Sequence, residues 1–141
     1  MASDRAFLKL YRDRVAVVPL FSGLSDKELR SLAKRADQLS VVEGSVLVAE
    51  GGYGSEFFVL LSGAAKVTKN GRTIRKLGPG DSFGELGLIA DLPRTASVVI
   101  TEPSELMVLA TPDFNKLLDE FPRVSRKMLA SLAALFAEKG V

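Results

Sequence analysis

Between residues 4 and 18, apolar side chains recur at Phe7, Leu8, Tyr11, Val15 and Val18 with charged residues between them. That spacing is the 3.6-residue period of a helix lying on a core. Pro19 closes the element, because proline disfavours helical backbone in the residue before it. Ser25 followed three residues later by Glu28 is a capping-box signature and opens a helix over about residues 26–36. From residue 38 to residue 110 the period changes. Short β-branched or aromatic runs now alternate with glycines: 39–42, 46–49, 57–61, 64–69, 72–77, 95–100 and 106–109. Such a series predicts about seven or eight short strands closed into a β-sandwich or jelly roll. Asn70-Gly71 suits a two-residue hairpin turn. That turn would set Lys69 opposite Arg72, Val67 opposite Ile74 and Lys66 opposite Arg75. Like charges facing each other are unfavourable unless they are solvated or share an anion. Thr111-Pro112 reads as an N-cap followed by proline at the first helical position, with a helix over about 112–120 that breaks at Phe121-Pro122. A last helix to about Lys139 gathers Val124, Met128, Leu129, Leu132, Leu135 and Phe136 in one broad stripe. Arg123, Arg126, Lys127 and Glu138 fall opposite.

The expected fold class is therefore mainly β with flanking helices, in one domain of 141 residues. Helices occupy 1–37, the β-roll 38–110 and further helices 111–141. A net charge of +2 is too small to argue for a nucleic-acid partner. The chain has no cysteine and no histidine. Disulfide and thiol chemistry are excluded, and the commonest general base and metal ligand are missing. A jelly-roll oxygenase of the cupin kind, which needs histidine and carboxylate metal ligands, is disfavoured, and no enzyme activity is expected. Apolar runs such as 57–61 fall far short of the roughly 20 residues a membrane helix needs. Charges interspersed near the N-terminus do not suit a secretory signal. A cytoplasmic protein without a membrane span is the expectation.

The chemistry concentrates in residues 78–98, GPGDSFGELGLIADLPRTASV. An arginine fork can grip a phosphate through two parallel hydrogen bonds, and a carboxylate accepts hydrogen bonds from sugar hydroxyls. Backbone N–H groups at a helix start favour an anion. Glycines let the backbone approach it closely. The Gly78 and Gly80 pair lacks the further glycine and βαβ setting of a dinucleotide site, and no P-loop motif is present. A surface arginine and a first-turn acid are the plain alternatives for Arg94 and Glu85.

The order Phe83-Gly84-Glu85, a short spacer, then Arg94-Thr95-Ala96 resembles the phosphate-binding cassette of cyclic nucleotide-binding domains. Leu86, Gly87 and Leu88 match as well, the cassette spanning 80–96. The likeness extends outward to VPLFSGLSDKEL at 18–29 and AEGGYGSEFFVLLSG at 49–63. The resemblance implies a catabolite activator-like β-jelly roll that binds a 3′,5′-cyclic nucleotide, with cAMP slightly favoured over cGMP and no metal. It places Arg94 on the phosphate, Glu85 on the ribose 2′-hydroxyl, and Phe83, Gly84, Leu86, Gly87, Thr95 and Ala96 around them. Arg75 and Thr95 sit where some cGMP-binding members carry base-reading residues. It further implies a regulatory sensor whose last helix serves as an apolar lid, and Leu86, Leu88 and Ile89 are expected to press on that helix when ligand binds. The same stripe can pair with a second copy of the chain or an effector protein. Two alternatives share the resemblance. A transcription regulator would need a helix-turn-helix after the last helix, and none follows before Val141, so no direct nucleic-acid contact is expected. A scaffold without ligand has Glu85 and Arg94 against it.

Overall fold

The computed structural model describes residues 2–85 and 92–138. Its spine is a pair of antiparallel strands of 14 residues each, β3 (Glu56–Lys69) and β6 (Ser97–Ala110). Around them lie β1 (Asp37–Val41), β2 (Val46–Val48), β4 (Arg72–Leu77) and β5 (Ser82–Phe83). The sheet order is β1-β6-β3-β4, with β2 paired to β6 and β5 to β3. This is the jelly roll with flanking helices that the strand pattern predicts. The described strands number six rather than seven or eight. The run 57–61 and the run 64–69 are one strand, whose pairing shifts register near Ser62 and Ala64 without breaking, and the final two runs merge in the same way.

The continuous apolar run 57–61 has a simple cause. Successive side chains of a strand point to opposite faces, and here both faces are covered. Phe57, Val59 and Leu61 join one core with the helices, whereas Phe58 and Leu60 join a second core inside the roll. The helical layer comprises α1 (Ala2–Ala16), a 3-10 turn (Pro19–Phe21), α2 (Asp26–Arg35), α3 (Thr111–Glu120) and α4 (Arg123–Glu138). Phe7, Val15 and Val18 are buried and Leu8 and Tyr11 pack against them, as the stripe in α1 predicts. At α2 both halves of the capping box form: Glu28 N–H donates to Ser25 Oγ at 3.2 Å, and Ser25 N–H donates to Glu28 Oε1 at 2.8 Å.

Three expectations need correction. Ala110, not Thr111, is the N-cap of α3. Thr111 stands inside the helix and its hydroxyl donates to the Ser55 carbonyl at 2.9 Å, tying α3 to the start of β3. In α4 the single stripe divides. Val124 is fully buried but Leu129 is 65% exposed; the side chains of Met128, Leu132, Leu135 and Phe136 lie outside the described residues. Arg123 and Lys127, placed opposite that stripe, reach Glu28 at 2.7 and 3.2 Å. The reason is that a carboxylate buried as fully as Glu28 must be compensated by charge and hydrogen bonds.

The third correction concerns the hairpin. Asn70 (φ 53°) and Gly71 (φ 77°) form the turn with both backbones left-handed, the geometry that suits the strands' twist. Lys69 does face Arg72, but the register then shifts, so that Val67 faces Arg75 and Lys66 faces Lys76. Ile74 is the extra residue of a bulge on β4. A bulge bends its strand and re-aims the adjoining side chains.

Candidate functional site

A cavity of about 430 Å³ opens where β2, β3, β4 and β6 converge on the segment 82–85. Its apolar wall comes from Val48, Val67, Leu77 and Val98. These positions are set by the strands and, apart from Val67, are buried members of the core inside the roll. Phe83, Gly84, Glu85, Arg94, Thr95, Ala96 and Arg75 all border it. Apart from Gly80, the described residues of the sequence-derived site are therefore brought to one space; Leu86, Gly87, Leu88 and Ile89 lie outside the described residues. The bulge at Ile74 is what turns both Ile74 and Arg75 toward this cavity.

The local folding explains the placement. Phe83 pairs with Phe58 across β5 and β3, and the two rings stack with centroids 5.0 Å apart at 15°. Its side chain thus anchors the segment, and the following residues form the rim. Gly84 has φ of 86°, and a Cβ there would stand 2.6 Å from the Glu56 carbonyl oxygen, so only glycine fits this turn. Glu85 follows directly after it, partly buried at the cavity edge. On the opposite rim Arg94 is clamped through its backbone. Its N–H donates to the Gly52 carbonyl at 2.7 Å, and its carbonyl accepts from Gly51 N–H at 2.8 Å. Its guanidinium spans the gap to the first rim, donating from Nη2 to the Glu56 carbonyl at 3.0 Å and from Nη1 to the Gly84 carbonyl at 3.5 Å. Among the described residues no carboxylate forms an ion pair with it.

Arg75, Arg94 and Glu85 are the charged groups on the described cavity wall. Two cations against one anion favour a ligand carrying a negative charge. Among the described residues no group of acidic side chains is arranged to hold a metal ion. Gly80 departs from the cassette reading. It borders a neighbouring cavity of about 460 Å³ with Val17, Leu20 and Phe57, and its N–H donates to the Leu60 carbonyl. It is a turn glycine held against β3 and α1 rather than part of the first cavity. Sequence reasoning passed over the apolar wall and the carbonyl cradle of Arg94. The wall residues were legible only as strand interior, and backbone carbonyls carry no residue-type signal at all.

Comparison with known proteins agrees with this geometry. The Cyclic nucleotide-binding domain family matches residues 38–121. A cAMP-dependent protein kinase regulatory subunit from Yarrowia lipolytica is 34% identical over 77% of this chain and 29% of its own length. A cGMP-dependent protein kinase from Plasmodium berghei is 39% identical over 58% of this chain and 10% of its own length. The chain thus spans under a third of these curated relatives. The crystal structure of a cyclic nucleotide-binding domain from Methylobacillus flagellatus superposes with a TM-score of 0.80 and 29% identity, covering 97% of this chain and 79% of that one. With a family model that matches residues 38–121, this chain belongs to the cyclic nucleotide-binding domain family.

Proposed function

We propose that this chain is a regulatory sensor that binds a 3′,5′-cyclic nucleotide in the 430 Å³ cavity, with cAMP ahead of cGMP. Arg94 grips the cyclic phosphate, Glu85 accepts a hydrogen bond from the ribose 2′-hydroxyl, and the Gly84 backbone allows close approach. Phe83, Thr95 and Ala96 complete the described wall, with Leu86 and Gly87 assigned to the same cassette, and Arg75 stands where it can meet the base. The observation that carries this reading is the Arg94 fork, held over an apolar-walled cavity by two neutral carbonyls. Among the described residues that guanidinium has no carboxylate partner, which keeps its charge available for an anion. The cavity volume also falls within the roughly 300–1,000 Å³ of small-molecule sites. Preference for cAMP rests on the cAMP-dependent regulatory subunit matching more of the chain than the cGMP-dependent kinase does. The output in this reading is a change in the position of α4, passed to an effector or a second copy of the chain rather than to a catalytic step.

Calorimetric titration of wild type and Arg94→Ala with cAMP and cGMP tests the phosphate role. Losing a charge-assisted contact should weaken binding by about 2–5 kcal/mol, while thermal stability of the ligand-free protein changes little. An unchanged dissociation constant in the variant would remove Arg94 from the site.

A further inference from the structure

Position 54 carries glycine for a reason that the backbone does not supply. Gly54 is not among the glycines with positive φ, so its backbone conformation is open to any L-residue. A Cβ built on it would nevertheless stand 2.7 Å from Nη2, 3.1 Å from Nε and 3.3 Å from Cζ of Arg94. These three nearest atoms all belong to one guanidinium, which turns its Nη2–Nε edge toward position 54. The same fork has its backbone pinned at Gly51 and Gly52 and its tip on the Glu56 carbonyl, so three successive parts of one loop fix it.

We infer that Gly54 is a positioning residue for anion binding: its missing side chain is the space that sets the Arg94 fork at the cavity. The inference rests on the phosphate role proposed for Arg94. It also separates two glycines that look alike in sequence. At Gly84 a Cβ would strike backbone, the Glu56 carbonyl oxygen at 2.6 Å, so substitution there disturbs the chain itself. At Gly54 the obstacle is the end of a flexible side chain, which can swing aside. The Gly54→Ala protein should accordingly fold, with melting temperature equal to or slightly above wild type, because alanine also restricts the unfolded chain. What changes is the fork, which is pushed off the Glu56 carbonyl and out of register with a bound phosphate.

A double-mutant cycle with Arg94→Ala tests this, since coupling isolates an effect that acts through one partner. The probe is cAMP, or cGMP if wild type binds it more tightly, titrated calorimetrically alongside thermal melts. In the wild-type background Gly54→Ala should weaken binding about tenfold, equivalent to roughly one charge-assisted hydrogen bond. In the Arg94→Ala background it should change affinity by less than about twofold, within the error of independent sites. An equal loss in both backgrounds overturns the inference and makes position 54 a general loop determinant. No loss in the wild-type background overturns it as well, while leaving Arg94 in place if Arg94→Ala alone weakens binding. If Arg94→Ala alone has no effect, the phosphate assignment falls and this inference falls with it.

Discussion

At the scale of single residues, the site rests on one carboxylate and one guanidinium on opposite rims of a cavity. Replacing Glu85 by glutamine keeps an acceptor and removes a charge. The expected loss for cAMP is about 1 kcal/mol, the difference between a charge-assisted and a neutral hydrogen bond. The 2′-deoxy nucleotide has no hydroxyl to offer and should bind wild type and Glu85→Gln alike. A clear loss of the deoxy ligand in the variant would argue against the ribose role. The pairing of Phe83-Gly84-Glu85 with Arg94-Thr95-Ala96 was legible in sequence because each triplet is local and its chemistry depends on residue type. Arg75 was legible only by the family likeness. The turn rule applied to Asn70-Gly71 put it opposite Lys66, and the bulge at Ile74 moved it to face Val67. Gly54 was not legible, since its need for glycine arises from a side chain far along the chain.

At the scale of elements, three helices are joined by carboxylates. Glu120 of α3 accepts from Ser31 at 3.0 Å and pairs with Arg35, both on α2. Glu28 of α2 holds Arg123 and Lys127 of α4, so the break at Phe121-Pro122 is bridged on its far side. These ion pairs tie the first turns of α4 to α2. Burial alone pushes the Glu28 carboxyl up, but the Ser25 N–H together with Arg123 and Lys127 outweighs it and holds the pKa at about 2, below its ordinary 4.5. A depressed carboxylate adds stability that is present above its unfolded pKa and lost as pH falls through the folded one. Glu28→Gln should therefore cost roughly 1–3 kcal/mol near neutral pH. In thermal melts the gap to wild type should stay constant above about pH 5 and narrow between 4.5 and 2. A gap independent of pH down to 2 would mean that the charge of Glu28 contributes nothing. Sequence supplied half of this arrangement. The capping box gave Ser25 and Glu28, whereas helix periodicity set Arg123 and Lys127 only opposite the apolar stripe and does not register a partner on a neighbouring helix.

At the scale of the whole molecule, the β3–β6 pair separates a helical core from the core of the roll, and the candidate site opens off the core of the roll. Glu85 and Arg75 border the 430 Å³ cavity and also the 460 Å³ cavity beside Val17, Leu20 and Phe57. If the proposed sensor reading holds, a ligand that draws these side chains inward would alter packing against the helical layer. A ligand shifts such an equilibrium only through contacts that differ between the two states. The strand period and capping signals carried the layered plan in sequence; the merging of short runs into two long bent strands depended on pairing across the sheet. Amide hydrogen exchange with and without saturating cAMP, and then cGMP, tests the central claim most directly. If only the cavity segments respond, α4 is not the output. The account predicts that with at least one nucleotide protection rises at residues 51–56, 82–85 and 92–96, and in α4 beyond Lys127, with α2 unchanged. Exchange unaltered at all three cavity segments with both nucleotides would contradict it.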